Sequence, residues 1–537
     1  MKRVFAVVAA LLLVAMTGTL AQAGVDTTFG TDGITKVAGV DGLDQAYGNG
    51  IDIAADGDIL IAGRTSDGSV TSKAWTASLG SDGSLDSGYG SGGVAVLSDN
   101  GTGAVELFEL PDGKILVGIN LPSDMGVMRL NADGSLDTSF GSNGIVTVSF
   151  GDLSTLNDLY VDFSSGKIYG VGEVLDESTF TSSIGVFCLT SDGALDPTFN
   201  DGLVYTTTLG DGDPSGGAMA VDSSGNVLIA VANSRTGNPD RVGTLFKLAP
   251  DGMPDSSFGD NGSMDVVVAG KDVMPRDVEI KNSTGEILVT GYAGIEADKD
   301  GFVAKFDSSG QFDANFGTGG VSLPDSTHLI ALFDLLINPA GGYYVSGTAN
   351  FGTSDNAILA ALDNTGALDS SFGNGGYAEV RTGSDLSEET LVKIVFDGGN
   401  RIIGVGTKED PSESFSAVAI VVAFDVSTGD VVIEDLPSDL GGSNFEGIDF
   451  GGLPEEPDGD VPTGVWHSAF GSPQVFQDPG GLIPNGDSAI LLIGSDEDGG
   501  IAGVFQDLLS NGATDLRGDV GDTWVLDFYY AHQGAPA

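Results

Sequence analysis

The chain is short of several things that enzymes and nucleic-acid-binding proteins rely on. It has one cysteine, Cys188, in 537 residues. An internal disulfide is therefore impossible, and the stability of so large a chain has to come from packing. It has three histidines, His328, His467 and His532, scattered singly along the chain. That excludes histidine-rich metal sites and the His-Glu-x-x-His arrangement. No Gly-x-Ser-x-Gly elbow and no phosphate-binding loop occurs. Basic residues are scarce, 21 Lys and Arg against 77 Asp and Glu, for a formal charge of −56. A surface so acidic disfavours nucleic acid and anionic lipid, which both need cationic contacts. It fits a self-repelling, soluble surface, or one that gathers calcium or a cationic partner. No stretch beyond the N-terminus is long and apolar enough to span a bilayer.

That N-terminus reads as a secretory signal over residues 1–23. Lys2 and Arg3 precede the apolar run Val4 to Met16, and Ala21-Gln22-Ala23 offers small residues for cleavage. The apolar run is short for a membrane anchor. The expected location is extracytoplasmic: periplasm, cell surface or medium.

What the chain has in abundance is glycine, 84 residues without a Gly-X-Y period. The glycines lie beside Asp and Asn between short apolar runs, as tight turns of an all-β protein require. They belong to a repeat. The phrase Asp-x-x-Phe/Tyr-Gly/Asn recurs with its aromatic at Phe29, Tyr89, Phe140, Phe199, Phe258, Phe316 and Phe372, at intervals of 60, 51, 59, 59, 58 and 56 residues. One such unit, from Phe140 to Thr198, contains four β-rich runs: 144–149, 156–163, 167–174 and 183–189. Turn signals separate them and no helical period intervenes. A four-stranded sheet of about 58 residues cannot cover both of its faces alone, and radial stacking of such sheets solves this. The expected fold is all-β: a seven-bladed β-propeller of four-stranded antiparallel blades over residues 25–436. Whether residues 33–37 complete the last blade depends on blade phase, which the repeat leaves open.

With Asp-Gly-x-Leu-Asp-x-x-Phe-Gly and the middle run Gly113 to Val117, the repeat resembles the delta-60-type repeat family of bacterial secreted β-propellers, over roughly three quarters of the chain. The resemblance implies the propeller fold and brings no activity or catalytic residues. An acidic, proline-bearing linker is expected at 437–463. Strand-like runs at 464–537, with Trp466 and Trp524, are similar to galactose-binding-like β-sandwich modules, which implies a small β-sandwich that stops short of their usual length.

The repeated Asp-x-x-Phe-Gly reads as structure, because a functional site needs asymmetry and these residues recur in every unit. The last strand of each unit holds a column in which Arg129, Lys247 and Lys305 share an equivalent place with Cys188. These three cations, with Trp466 and Trp524, are the candidate binding residues. The competing reading pairs each cation with the repeated Asp. Cys188 reads as a small filler. Acidic turns at 211–213, 298–301 and 496–499 supply oxygen ligands for calcium or are simply solvated, and no EF-hand is complete. No other cofactor is expected. The functional expectation is a monomeric, non-enzymatic binding or scaffold propeller with a protein or glycan partner. The alternatives are an extracellular carbohydrate-active enzyme with carboxylates in the funnel, and a calcium-dependent adhesion module.

Overall fold

The computed structural model describes residues 24–426, apart from 69–70, 98–102, 210–212, 236, 238–239, 269, 295–297, 326–327, 351–353, 381–386, 399–400 and 410–415. It also describes the backbone of 466–467, 473–474, 493–495 and 501–503. Within 24–426 the strands form antiparallel meanders, the blades of a propeller, and one parallel bridge from Ala417 to Gln45 joins the last blade to the first.

The fifth blade shows the plan. Its inner strand Val273–Lys281 pairs with Glu286–Ala293, which pairs with Asp300–Phe306, which pairs with the short outer strand Val321–Ser322. The middle strands are apolar almost throughout, as sheets covered on both faces must be. Each interface between blades is a separate hydrophobic cluster. One of them gathers Leu245, Phe258, Val278, Val289 and Phe302 from the fourth and fifth blades. The inner strands of successive blades pack side by side around the channel, and Glu388–Phe396 of the seventh meets Gln45–Ile53 of the first.

The blade is offset from the sequence unit by one strand. Ile145–Val148, the first run of the specimen unit, pairs with Met125–Leu130 as the outer strand of the preceding blade. The same offset answers the question of closure. Ile34–Val37 pairs with Ala419–Val422 and supplies the fourth strand of the seventh blade. Gly24–Val25 continues the pairing at Phe424 and Asp425. The first blade's outer strand comes instead from Val94–Val96. The ring is thus shut by its own N-terminal segment.

Outside the ring, Trp466–His467 pairs with Pro473–Gln474, and Ile493–Ser495 with Ile501–Gly503. Trp524 and the β-sandwich expected around it lie outside the described residues.

Candidate functional site: a channel with two unlike faces

The channel has two ends. One carries the hairpins between first and second strands together with the repeated Asp-x-x-aromatic turns, and is called here the joint face. The other carries the hairpins between second and third strands and the crossings to the next blade, and is called the loop face.

The joint face is repetitive and its polar groups are engaged. In the third repeat of the joint, the Asp137 carboxylate accepts the Ser139 N–H at 3.1 Å and the Ser139 hydroxyl at 2.6 Å. The Asp137 N–H donates to the Arg129 carbonyl, which ties the turn to its own blade. The aromatic that follows is buried in every repeat, from Phe29 at 0% exposed to Phe372 at 5%. It presses on the turn glycine of the next blade. A Cβ on Gly310 would lie 2.8 Å from Phe258, and one on Gly193 3.0 Å from Phe140. Both glycines also hold φ near +85°, at +82° and +89°. Only glycine suits a place that is both left-handed and pressed against a ring.

The residue after the aromatic is left-handed in every repeat, and at Gly30, Gly90, Asn200, Gly259 and Gly317 its N–H donates to the next blade's turn, as Gly259 does to the Ser309 carbonyl. Asn200, where the sequence departs from glycine, adopts φ +46° and keeps this bond to the Asp251 carbonyl. Asparagine is the next most tolerant residue in that region.

The cations of the sequence column lie on this face. Arg129 Nε is 2.7 Å from Asp137, Lys247 Nζ is 3.6 Å from Asp255, and Lys305 Nζ is 2.8 Å from Glu286 and 3.3 Å from Asp313. Lys114 adds a second cation to Asp137 at 2.8 Å. Hydrogen bonds from Lys114 and Ser139, with Arg129 beside them, hold the Asp137 carboxyl well below the usual carboxylate range. Where the column carries Cys188, Lys167 reaches in from the neighbouring strand and pairs with Asp196 at 2.8 Å. Burial pushes the Cys188 thiol up to about 12, so it is no nucleophile. Arg401 plays the same part at the closing blade, 3.5 Å from Asp26.

Inside the channel lies a constellation that the sequence reading did not single out. All seven inner strands bulge at the same step, between Gly48 and Gly50 in the first blade and between Leu391 and Lys393 in the last. The residue just past each bulge forms a ring around the channel: Gly50, Glu106, Asp158, Ala218, Asp277, Asp334 and Lys393. The Lys393 ammonium reaches across to Asp334 at 3.3 Å and Glu106 at 3.5 Å. Gly50 leaves the room that Glu106 uses, since a Cβ there would lie 2.7 Å from its carboxylate.

Three of these acids latch one blade to the next. Asp158 accepts the Met219 N–H at 2.8 Å, Asp277 the Leu335 N–H at 3.1 Å, and Asp334 the Ile394 N–H at 2.7 Å. Burial raises Glu106 to about 8, against the opposing pull of Lys393. Burial and Asp334 raise Glu279, one layer nearer the joint face, to about 7. Burial also lifts Asp158, Asp277 and Asp334 above the ordinary carboxylate range. Burial opposes the charge of Lys393, but Asp334, Glu106, Asp277 and Asp158 outweigh it, so its pKa stands above that of a free lysine. A sequence signal was present: single charges inside otherwise apolar strands, as in Val105-Glu106-Leu107 and Phe333-Asp334-Leu335.

The loop face differs from blade to blade. Between the fifth and sixth blades, the exposed Arg276 guanidinium lies 5.2 Å from the Tyr292 ring centre and 5.9 Å from that of Phe333. It donates to the Tyr292 hydroxyl at 2.9 Å. Lys299 Nζ lies 5.5 Å from the same Tyr292 ring. Over the first blade, Arg64 sits 4.5 Å from the Tyr47 ring. Among the described residues none of these three cations is within an ion pair. Of the acidic turns suggested for calcium, Asp298 and Asp300 are both held by Lys271, at 2.9 and 2.7 Å. Among the described residues no three of His, Cys, Asp and Glu converge as metal ligands. No helix among them is long and apolar enough to cross a membrane.

No curated protein matches the chain in sequence. Among solved structures it is similar to a polysaccharide lyase, PL25 ulvan lyase, at 11% identity and TM-score 0.42 over 75% of this chain and 94% of that one. It is likewise similar to the β-propeller domain of the Trilobed protease from Pyrococcus furiosus, at 8% and 0.39 over 73% and 99%. A third is Sqt1 of Chaetomium thermophilum bound to the N-terminus of ribosomal protein L10, at 13% and 0.42 over 72% and 98%. None of these likenesses bears on chemistry. The family model described as domain of unknown function (DUF5122) beta-propeller matches residues 110–140 and 164–199, each spanning the second and third strands of a blade and the Asp-x-x-aromatic joint. Over these two stretches the repeat is similar to that of the DUF5122 β-propeller family.

Proposed function

We propose that the protein is an extracytoplasmic, non-enzymatic binding platform that receives its partner on the loop face. The observation that carries this reading is the contrast between the two ends of one channel. On the joint face the cations Lys114, Arg129, Lys167, Lys247, Lys305 and Arg401 are spent on carboxylates. On the loop face Arg64, Arg276 and Lys299 lie over aromatic rings and outside any ion pair among the described residues. Other cations at that end, Lys73, Arg235 and Lys271, are paired with carboxylates, so these three stand apart from their own neighbours. They sit where side chains differ between blades, which is where a propeller can discriminate. The signal-like residues 1–23 support export.

A second reading, a carbohydrate-active hydrolase or lyase, draws on the raised carboxyls of Glu106 and Glu279, which resemble proton donors. Against it stands the engagement of Asp158, Asp277 and Asp334 as acceptors for backbone of the next blade.

The test measures retention on immobilised polysaccharides and turnover of the same polymers by the full chain. Binding without turnover, weakened by Arg64→Gln or Arg276→Gln and unaffected by Lys247→Gln, is the expected result. Turnover that Glu106→Gln abolishes would replace this reading with the enzymatic one.

A further inference from the structure

The Arg276, Lys299, Tyr292 and Phe333 cluster has the composition of a ligand site. Two cations lie against one phenol ring, and among the described residues neither is within an ion pair. Such stacking is a weak attraction, about 0.5–1 kcal/mol where exposed, so it leaves both cations available to a stronger partner. Neighbouring lysine Lys271 shows what the local carboxylates prefer: it takes Asp298 and Asp300 for itself, on either side of Lys299 in sequence. Arg276 is the extra residue at the bulge of its strand, with one N–H committed to the Tyr292 hydroxyl. The rest of its planar fork is of the shape that grips a carboxylate in two places.

We propose that this corner of the channel mouth binds the carboxylate of an acidic saccharide whose negative charges are sparse along a neutral backbone. The inference rests on the binding-platform reading above and adds the ligand class. Two features favour a sugar over an acidic peptide. The site offers two cations amid a protein of formal charge −56, so a densely charged polyanion is repelled everywhere else along its length. Beside the cluster the exposed Asp298 carboxylate keeps lone pairs beyond its bond to Lys271. It suits the hydroxyl donors of a saccharide and repels the side chains of a run of glutamates. The half-buried Phe333 and Tyr292 rings, edge to face at 6.4 Å, provide the apolar wall that ligand sites usually include.

Calorimetry on the full chain tests this with a matched pair: a xylo-oligosaccharide bearing one glucuronic acid branch, and the same oligosaccharide without it. The branched probe is expected to bind, and the unbranched one at least about tenfold more weakly. Binding should weaken as salt rises from about 0.05 to 0.5 M. Arg276→Gln and Lys299→Gln should each lower affinity for the branched probe at least about tenfold and leave the unbranched probe unchanged. Melting curves of both variants confirm that the ring is intact. Equal binding of the two probes overturns the acidic ligand while leaving a platform that takes neutral sugars. Hexaglutamate binding more tightly than the branched probe overturns the saccharide while leaving a platform for peptides. Failure of every probe to bind overturns the inference, and the immobilised-polymer retention then decides the platform reading separately.

Discussion

At the scale of residues, the repeated phrase is a contact between two blades written in one stretch of chain. Phe258 belongs to the fourth blade's joint and Gly310 to the fifth blade's turn, and neither conformation is explained without the other. Gly310→Ala combines a side chain at φ +82° with a Cβ 2.8 Å from the ring. The left-handed cost is about 1–2 kcal/mol and the overpacking about 1–3. A loss of roughly 2–4 kcal/mol in denaturant unfolding is expected, and a loss below about 0.5 kcal/mol would mean that ring and turn are not in contact. Asn200→Gly, where the side chain already tolerates φ +46°, should be close to neutral in the same measurement. The ion pairs of the joint compensate one another in the same local way, Lys167 standing in where Cys188 replaces a cation. That substitution crosses between strands, so a single column of the sequence shows only half of it.

At the scale of elements, the ring is held by a strand that travels from one end of the chain to the other. Ile34–Val37 completes the seventh blade, and the Thr35 hydroxyl donates to the Gly83 carbonyl of the first blade at 2.6 Å. Phe29 presses on the same Gly83. Deleting residues 24–37 would leave the last blade with three strands and an exposed edge. The melting temperature is expected to fall by at least about 10 °C, or the protein to aggregate. A shortened chain melting within about 2 °C of the parent would show that the closure contributes nothing. The strands and the joint were legible in the sequence because each is local: apolar runs, turn residues and an aromatic at a fixed offset. Closure was not, since it pairs Lys36 with Ile420 and no local pattern encodes that. The ring of Glu106, Asp158, Asp277, Asp334 and Lys393 was half legible. The charges stand out in apolar strands, but the bulge beside each one breaks the alternation that would have assigned it to the channel. The contrast between the faces was not legible, because Lys114 and Asp137 meet from different strands.

At the scale of the whole molecule, Lys393 brings distant blades together across the channel. Its ammonium answers Asp334 of the neighbouring blade and Glu106 of the second, and the charges of Asp158 and Asp277 also act on it. Glu279 faces the same set from the fifth blade. In the folded ring Glu106 titrates at about 8 and Glu279 at about 7, above the ~4.3 of an unfolded glutamate. A folded pKa above the unfolded one means that the native state holds the proton more tightly. The stability this gives is complete below about pH 4 and is lost as pH rises through 7 and 8. The protein should therefore resist unfolding better at pH 6 than at pH 9, by on the order of 4 kcal/mol for these two groups. Lys393→Met sharpens the test, since comparison with the parent at each pH cancels the general repulsion of an acidic surface. At pH 9 the variant leaves ionised carboxylates facing one another, and a deficit on the order of 3 kcal/mol is expected. At pH 5 the same carboxyls can take up protons in place of the missing ammonium, and more than half of the deficit should disappear. Adding Glu106→Gln to Lys393→Met should shrink the deficit at pH 9 and change little at pH 5. A deficit equal at both pH values would assign Lys393 to packing of its aliphatic stem, and the channel charges would then have no part in holding the seven blades together.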